Sequence, residues 1–544
     1  MKSEVVSLKV KKVVSNSIRL VTTLVFLPIL FCVIFIGYNM NYNDAFKPKV
    51  VLGTWTMSAI ALVGVILFIT ASFFIKEKQF RKTENRIINV IIVTYFVMGY
   101  FINCMVAREI AFCLPWDIMV VQGHAADFAK GIPLGYEYYY SMYPNNVPIT
   151  YLLGRFYRMA MNHQEYQVTP AYIYMQLNCL FYSLAGIFSC LSVKKLTRRV
   201  LPVVAIIFTY TILVWASGWK IAPYTDSFAI VFPIVSVYLY LCAMETEENK
   251  AWKRGIFVLS SLLISVIGGF VKPNLYIVTI ALIVMEGLHF IISIKKYWKM
   301  FLIDLSFLAL LFVGTEIELK CMMQEIQLVY NPEISYDYNH YLMMGLNEET
   351  TGGYNSEDVG MIGQYQTSKQ ERIRAERQII VERLKEKGFI GTIYFYLRKL
   401  TMTFNEGTFG WSCEVWPIDY YPEELASNTR VTDLLREIYW FGKYSEIYDT
   451  ICQIVWLFAI LGIPGVVLLR KKDEPVTFLC TCLLGIVLYQ MLFEARARYL
   501  FSFLPILLFI AACGLHEYAN WIKGHWKHRA IIDEDKLENI HTES

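Results

Sequence analysis

This chain is poor in charge. Lys, Arg, Asp and Glu make up 18% of its 544 residues, against about a quarter in soluble domains. Histidine is scarce as well, at eight residues, and no His/Cys/Asp spacing resembles a zinc site. Neither a phosphate-cradling glycine loop nor a dinucleotide fingerprint occurs, so no nucleotide-binding domain is evident. No repeat of solenoid length and no low-complexity tract is found. The net charge of +4 is too small for a nucleic-acid surface, and no nucleic-acid partner is expected. Most of the twelve cysteines lie inside apolar runs, where they act as small hydrophobes. Cys321 and Cys413 share one loop, but no spacing marks them as a pair.

What is abundant is apolar and aromatic surface. Hydrophobic residues make up 56% and aromatic residues 15%, and the mean hydropathy is +0.42. That composition excludes a soluble globular domain and a disordered chain. Twelve runs read as spans: Ser17–Tyr38, Val51–Ile75, Ile87–Ala107, Ala171–Val193, Val200–Ser217, Ser227–Met244, Ile256–Phe270, Leu275–Ile294, Phe301–Thr315, Ile451–Leu469, Val476–Phe493 and Tyr499–Leu515. The expected fold is therefore an all-α polytopic membrane protein with about twelve transmembrane helices. The first run is of full span length and has no small-residue cleavage site, so it reads as an anchor.

Basic clusters orient these runs. Lys9, Lys11 and Lys12 precede the first, and Lys76, Lys78, Arg81, Lys82 and Arg86 follow the second. Lys194, Lys195, Arg198 and Arg199 follow the fourth; Lys295, Lys296 and Lys299 the eighth; Arg470, Lys471 and Lys472 the tenth. All fall on one side if both termini do, and that side is expected to be the cytoplasm. The chain then divides into a tail and hairpin (1–86), a core (87–315) with an outer loop at 108–170, an outer loop domain (316–450), the last three spans (451–517) and an inner tail (518–544).

The outer segments carry patterns of their own. In the first, Asp117 follows Pro115-Trp116, a helical stretch leads to Gly131, and Tyr138 to Asn146 follows as a tyrosine-rich turn. Val147 to Met161 is apolar but holds Arg155 and Arg158, which fits a juxtamembrane helix. In the second, Ser368-Lys369-Gln370-Glu371 is a capping box that opens a charged helix ending near Gly388. Ile390 to Phe404, with Arg398 and Lys399, fits a helix lying in the membrane interface.

Ionisable groups at a membrane boundary point to function. Asp117 would take a proton from an incoming hydroxyl, or cap the helix after it. Asp226 sits in the short turn Pro223-Tyr224-Thr225-Asp226-Ser227; it would act with Asp117 or cap the sixth span. Lys272, in the break Gly268-Gly269-Phe270-Val271-Lys272-Pro273-Asn274, would bind a lipid phosphate or snorkel at a helix end. Arg496 and Arg498 of Glu494-Ala-Arg496-Ala-Arg498-Tyr499 suit a phosphate or pyrophosphate, while Glu494 would bridge to an arginine. His516, His525 and His528 read as solvated surface, and Glu286 as a helix–helix hydrogen bond.

The order of these residues resembles the GT-C superfamily of integral membrane glycosyltransferases, in particular bacterial members similar to protein mannosyltransferases and aminoarabinose transferases. The resemblance rests on Asp117 after a span, the outer segment ending Tyr143-Pro144-Asn145-Asn146, Asp226 in a short turn, the Val271-Lys272-Pro273 break and Glu494 to Tyr499 before Pro505. It covers about Ile87 to Ile294 and the last two spans. It implies a sugar carried on a polyprenyl phosphate and transfer, with inversion, to an acceptor hydroxyl on a glycan, lipid or protein at the outer face of a bacterial plasma membrane. It implies Asp117 as general base, Asp226 as second acid, Lys272, Arg496 and Arg498 at the donor phosphate, and Glu494, Tyr143, Asn145 and Asn146 in support. Ile118 stands where the family has a second acid, so a divalent cation is left open. A hairpin at Ser17 to Ile75 precedes the span matching the family's first, and the loop from Glu316 to Thr450 is expected to cover the site and choose the acceptor. Two other functions fit such a chain: a lipid-linked sugar flippase, which would need inverted repeats, and a polysaccharide polymerase.

Overall fold

The computed structural model describes residues 2–75, 82–162, 170–364, 368–416, 426–470 and 473–542. Within them every regular element is helical, apart from one isolated β-bridge between Gly135 and Leu328 that joins the two long loops. Eleven helices are long and apolar enough to cross a membrane, so the chain is an all-α polytopic membrane protein. Lys76, Lys78, Arg81, Lys471 and Lys472 lie outside the described residues, as does His163.

Each of the twelve apolar runs is a helix, and two differ from expectation. The fifth, Val200–Trp215, falls short of the other eleven. At the α-helical rise it extends about 24 Å, less than a hydrocarbon core. The ninth is longer than its apolar run, because its helix continues from Ile294 to Glu325. Its polar last turns stay helical because Met322 and Ile326 pack into a cluster with Phe128, Leu134 and Tyr140 of the first outer loop.

The helices pack around the last span. Leu504 to Leu515 is buried almost throughout, and Gly462, Gly465 and Gly514 let the tenth and twelfth helices touch backbone to backbone. Small residues are what permit such approach in a bilayer. The first three spans and the ninth keep much of their surface outward, as lipid-facing helices should.

Charges are sorted to the two ends of this bundle. At one end Lys11 meets Glu474, Lys195 meets Glu245, and Arg470 meets Glu517. This is where the basic clusters flanking the spans gather. The opposite end carries Asp117, Asp226, Lys272 and the 494–499 segment, under both long loops. Asp117–Ala129 and Val147–Asn162 form the expected helices of the first loop. Ser368 caps the charged helix by accepting from the Glu371 amide. That helix breaks at Gly388, whose φ of +59° and ψ of −177° suit glycine alone.

His516 departs from the surface role expected of it. It is buried at the foot of the twelfth helix, because that helix runs on past the span and keeps its packed face.

Candidate functional site

Asp117 does not cap its helix. It is the first helical residue, and the residue before it, Trp116, holds φ +57°. A bulky residue in that region is a strained conformation of the kind that clusters at functional sites. The twist turns the Trp116 ring under Arg498, whose guanidinium carbon lies 5.3 Å from the ring centroid. It also delivers the Asp117 carboxylate to the Tyr224 hydroxyl, which donates to Oδ2 at 3.0 Å. Asn146, fully buried, donates to Tyr139 Oη at 2.6 Å and reaches Tyr224 Oη at 3.3 Å. Asn145 donates to Asn146 Oδ1 at 3.2 Å. Tyr143 stacks obliquely between Tyr139 and Tyr336, each 5.3 Å away, and burial pushes its hydroxyl far up. The tyrosine-rich turn is thus a packed wall that orients one carboxylate through Tyr224.

Asp226 does not cap a helix either. It is buried in the short helix Thr225–Phe228, and its Oδ1 accepts from Lys272 Nζ. The backbone carbonyl of Asp226 accepts from Ser502 Oγ at 2.7 Å, which ties this turn to the segment after Arg498. Arg498 Nε stands 4.0 Å from Asp226 Oδ2 and 3.6 Å from Glu414 Oε2. Lys272 is therefore neither a snorkelling lysine nor an uncommitted cation. Burying a charge demands a partner, and Asp226 supplies it.

Arg496 is different. Its guanidinium lies 3.9 Å from the Phe46 ring centroid, and no carboxylate among the described residues pairs with it. It faces a small recess with Glu414, Glu406, Gly410, Cys413 and Met402. Burial raises the Glu414 carboxyl, with Arg496 and Arg498 pulling the other way. Burial also lifts Glu406 to about 7, although its oxygens accept from the Thr408 amide at 2.8 Å and from the Gly410 amide. Those bonds fold a turn in which Phe409 and Gly410 both take positive φ, and that turn aims the short helix Trp411–Glu414 at Arg498. Among the described residues Glu494 forms no bridge to an arginine; its Oε1 accepts from Tyr499 Oη at 3.0 Å.

Lys399 secures this arrangement from the large loop. It lies in the stretch that fits an interfacial helix, and it is fully buried. Its ammonium donates to the carbonyls of Gly345 (2.6 Å), Met491 (3.0 Å) and Phe493 (2.6 Å). Met491 and Phe493 stand at the end of the eleventh span, where carbonyls lack helical partners. The chain beyond is held by Glu494 N to Tyr341 O (3.1 Å) and Ala495 N to Gly352 O (2.9 Å). Burial draws Lys399 down to about 7.

The structure thus brings together Asp117, Asp226, Lys272, Glu494, Arg496 and Arg498, with Asn146 and Tyr143 behind Asp117. Sequence reasoning missed Glu414, Glu406, Tyr224, Trp116 and Lys399. Glu406 and Glu414 did carry a signal, being two acids in a glycine- and aromatic-rich stretch. Among the described residues no group of three or more His, Cys, Asp and Glu side chains is placed to hold a metal ion.

No curated protein and no solved structure matches the chain. A family model does match it, over residues 10–518, and the protein belongs to that family, described as conserved hypothetical integral membrane proteins.

Proposed function

We propose that this protein is a membrane glycosyltransferase that moves a sugar from a polyprenyl-phosphate donor to an acceptor hydroxyl at the outer face of the membrane. The observation that carries this reading is the uncommitted guanidinium of Arg496 in a recess beside buried carboxylates, at the bundle end where Asp117 is oriented by Tyr224. A lipid-phosphate donor keeps its tail in the bilayer and its headgroup at the rim, so no nucleotide fold is needed.

In this reading Arg496 receives the donor phosphate, because a guanidinium pairs two oxygens at once. Arg498 and Lys272 are balanced by Glu414 and Asp226, so Arg496 is the cation left to meet the charge the leaving phosphate gains. The acceptor oxygen attacks the anomeric carbon as the bond from that carbon to the phosphate oxygen breaks. The acceptor proton passes to Asp117. Inversion follows from a single displacement. The basic end of the bundle is then cytoplasmic by the charge rule, and the membrane a bacterial plasma membrane.

The test is transfer of a radiolabelled sugar from its polyprenyl phosphate by purified protein in vesicles. Wild type should consume the donor, and Asp117→Asn should slow transfer by about 10²–10⁴, the range for losing a general base. If Asp117→Asn transfers as fast as wild type, Asp117 is not the base. If wild type consumes only pyrophosphate-linked donors and joins them, the protein is a polymerase.

A further inference from the structure

The large loop contains one helix of two characters. From Lys369 to Lys387 it is mostly charged, and from Phe389 onward it is apolar. The break falls at Gly388. Beyond it Phe389, Ile390, Ile393 and Tyr394 are 79%, 74%, 45% and 51% exposed. Their spacing puts all four on one helix face. The opposite face is buried, with Phe395, Lys399 and Met402 each at 2% or less.

The exposed stripe does not end in solvent. One turn further on, Leu397 continues it and packs with Met402 against Cys32, Ile36 and Met40, the last turns of the first span. Lys399, on the other face, holds the end of the eleventh span. The stripe therefore adjoins the ends of two spans. The outward faces of the first span, Phe31 and Phe35, are 57% and 43% exposed and belong to lipid.

We infer that residues 389–394 dock into the interfacial layer of the bilayer, with Gly388 as the point where the helix passes from water to lipid. The occupant of this face is a phospholipid surface, because the stripe is continuous with the lipid-facing surface of the first span. An apolar face turned outward along one side of the helix is what an interfacial helix requires. The same helix carries Lys399, so the element that meets the bilayer also holds the chain leading into the arginine segment. This inference does not depend on the reaction proposed above.

The experiment replaces Ile390 with the photocrosslinker p-benzoylphenylalanine in the full chain, in phosphatidylethanolamine/phosphatidylglycerol vesicles. Val381, 48% exposed on the charged side of the break, is replaced in the same way as the control. Both positions are surface sites, so folding is preserved. Irradiation should give a phospholipid adduct by mass spectrometry at 390 and none at 381. No lipid adduct at 390, equal adducts at both positions, or a crosslink from 390 to a second copy of the chain would each overturn the inference.

Discussion

At the basic end of the bundle, Arg254 places one guanidinium nitrogen 2.7 and 2.9 Å from the two oxygens of Glu286. At the other end, Arg498 stands 3.6 Å from Glu414 and 4.0 Å from Asp226. The first network goes on closing. Tyr240 donates to Glu286 at 2.7 Å, and His289 bridges Glu286 at 3.4 Å and Glu474 at 2.5 Å. Arg254 Nη1 and Asp304 Oδ2 are left without a hydrogen bond there. The second network is looser: Arg498 meets its carboxylates only at those longer distances, its Nε has no hydrogen bond, and Arg496 forms no ion pair among the described residues. Buried polar groups are normally satisfied, so exceptions call for a reason. A network of short bonds holds helices together, whereas a looser one has contacts to give a ligand.

The largest effect should come from breaking the closed end. Arg254→Ala leaves Glu286 buried without its main counter-charge. Such a loss costs about 3–5 kcal/mol, read as a fall in thermal unfolding temperature in detergent, with donor affinity unchanged in the fraction that folds. If Arg254→Ala melts like wild type, the basic end is not the clamp described here.

The open end should respond the other way. Arg496→Ala removes a cation that forms no ion pair among the described residues but does favour the buried Glu414 carboxylate, so stability should fall by only about 1 kcal/mol. Donor binding should weaken by about 1.5–3 kcal/mol, the usual worth of hydrogen bonds to a charged group. A large loss of stability without loss of binding would make Arg496 a structural residue and erase the contrast between the ends.

How much of this contrast was legible in the sequence follows from what sets each part. Hydropathy and flanking lysines mark the spans because the bilayer acts on every residue of a run. Asp117, Asp226, Lys272 and Arg498 stand out because charge is rare at a membrane rim. Pairing is another matter. That Lys272 spends its charge on Asp226, or that Glu414 joins Arg498, depends on loops 46 to more than 80 positions apart in the chain. The burial of Lys399 was not legible, because only the fold supplies the three carbonyls that receive it. The positive φ of Trp116 carries no composition signal at all, since glycine or asparagine would be the residue to look for there.

A smaller effect separates the two ends by pH. Burial raises Glu406 from 4.5 to about 7, so between those values the folded chain binds more protons than the unfolded one. Stability from this group is full below pH 4.5 and is lost as pH rises towards 7. Melting curves of wild type should show that slope, and Glu406→Gln, neutral throughout, should flatten it. An unchanged slope in the variant would assign the titration elsewhere.

The smallest and most discriminating comparison uses one atom at each end. Tyr240 and Tyr224 both donate a hydroxyl to a carboxylate, Glu286 at 2.7 Å and Asp117 at 3.0 Å. Removing either hydroxyl takes away one hydrogen bond to a charged acceptor, worth about 1.5–3 kcal/mol where the acceptor is buried and nearer 1 kcal/mol where it is partly solvated. Glu286 is buried and Asp117 half-buried, so Tyr240→Phe should lower the melting temperature and leave transfer alone. Tyr224→Phe should barely change melting but free the Asp117 carboxylate to rotate, slowing transfer by roughly tenfold at about 1.4 kcal/mol. The same chemical change would then read out as stability at one end and as rate at the other. If both variants lose only stability, Tyr224 is packing and Asp117 owes its orientation to the Trp116 backbone alone.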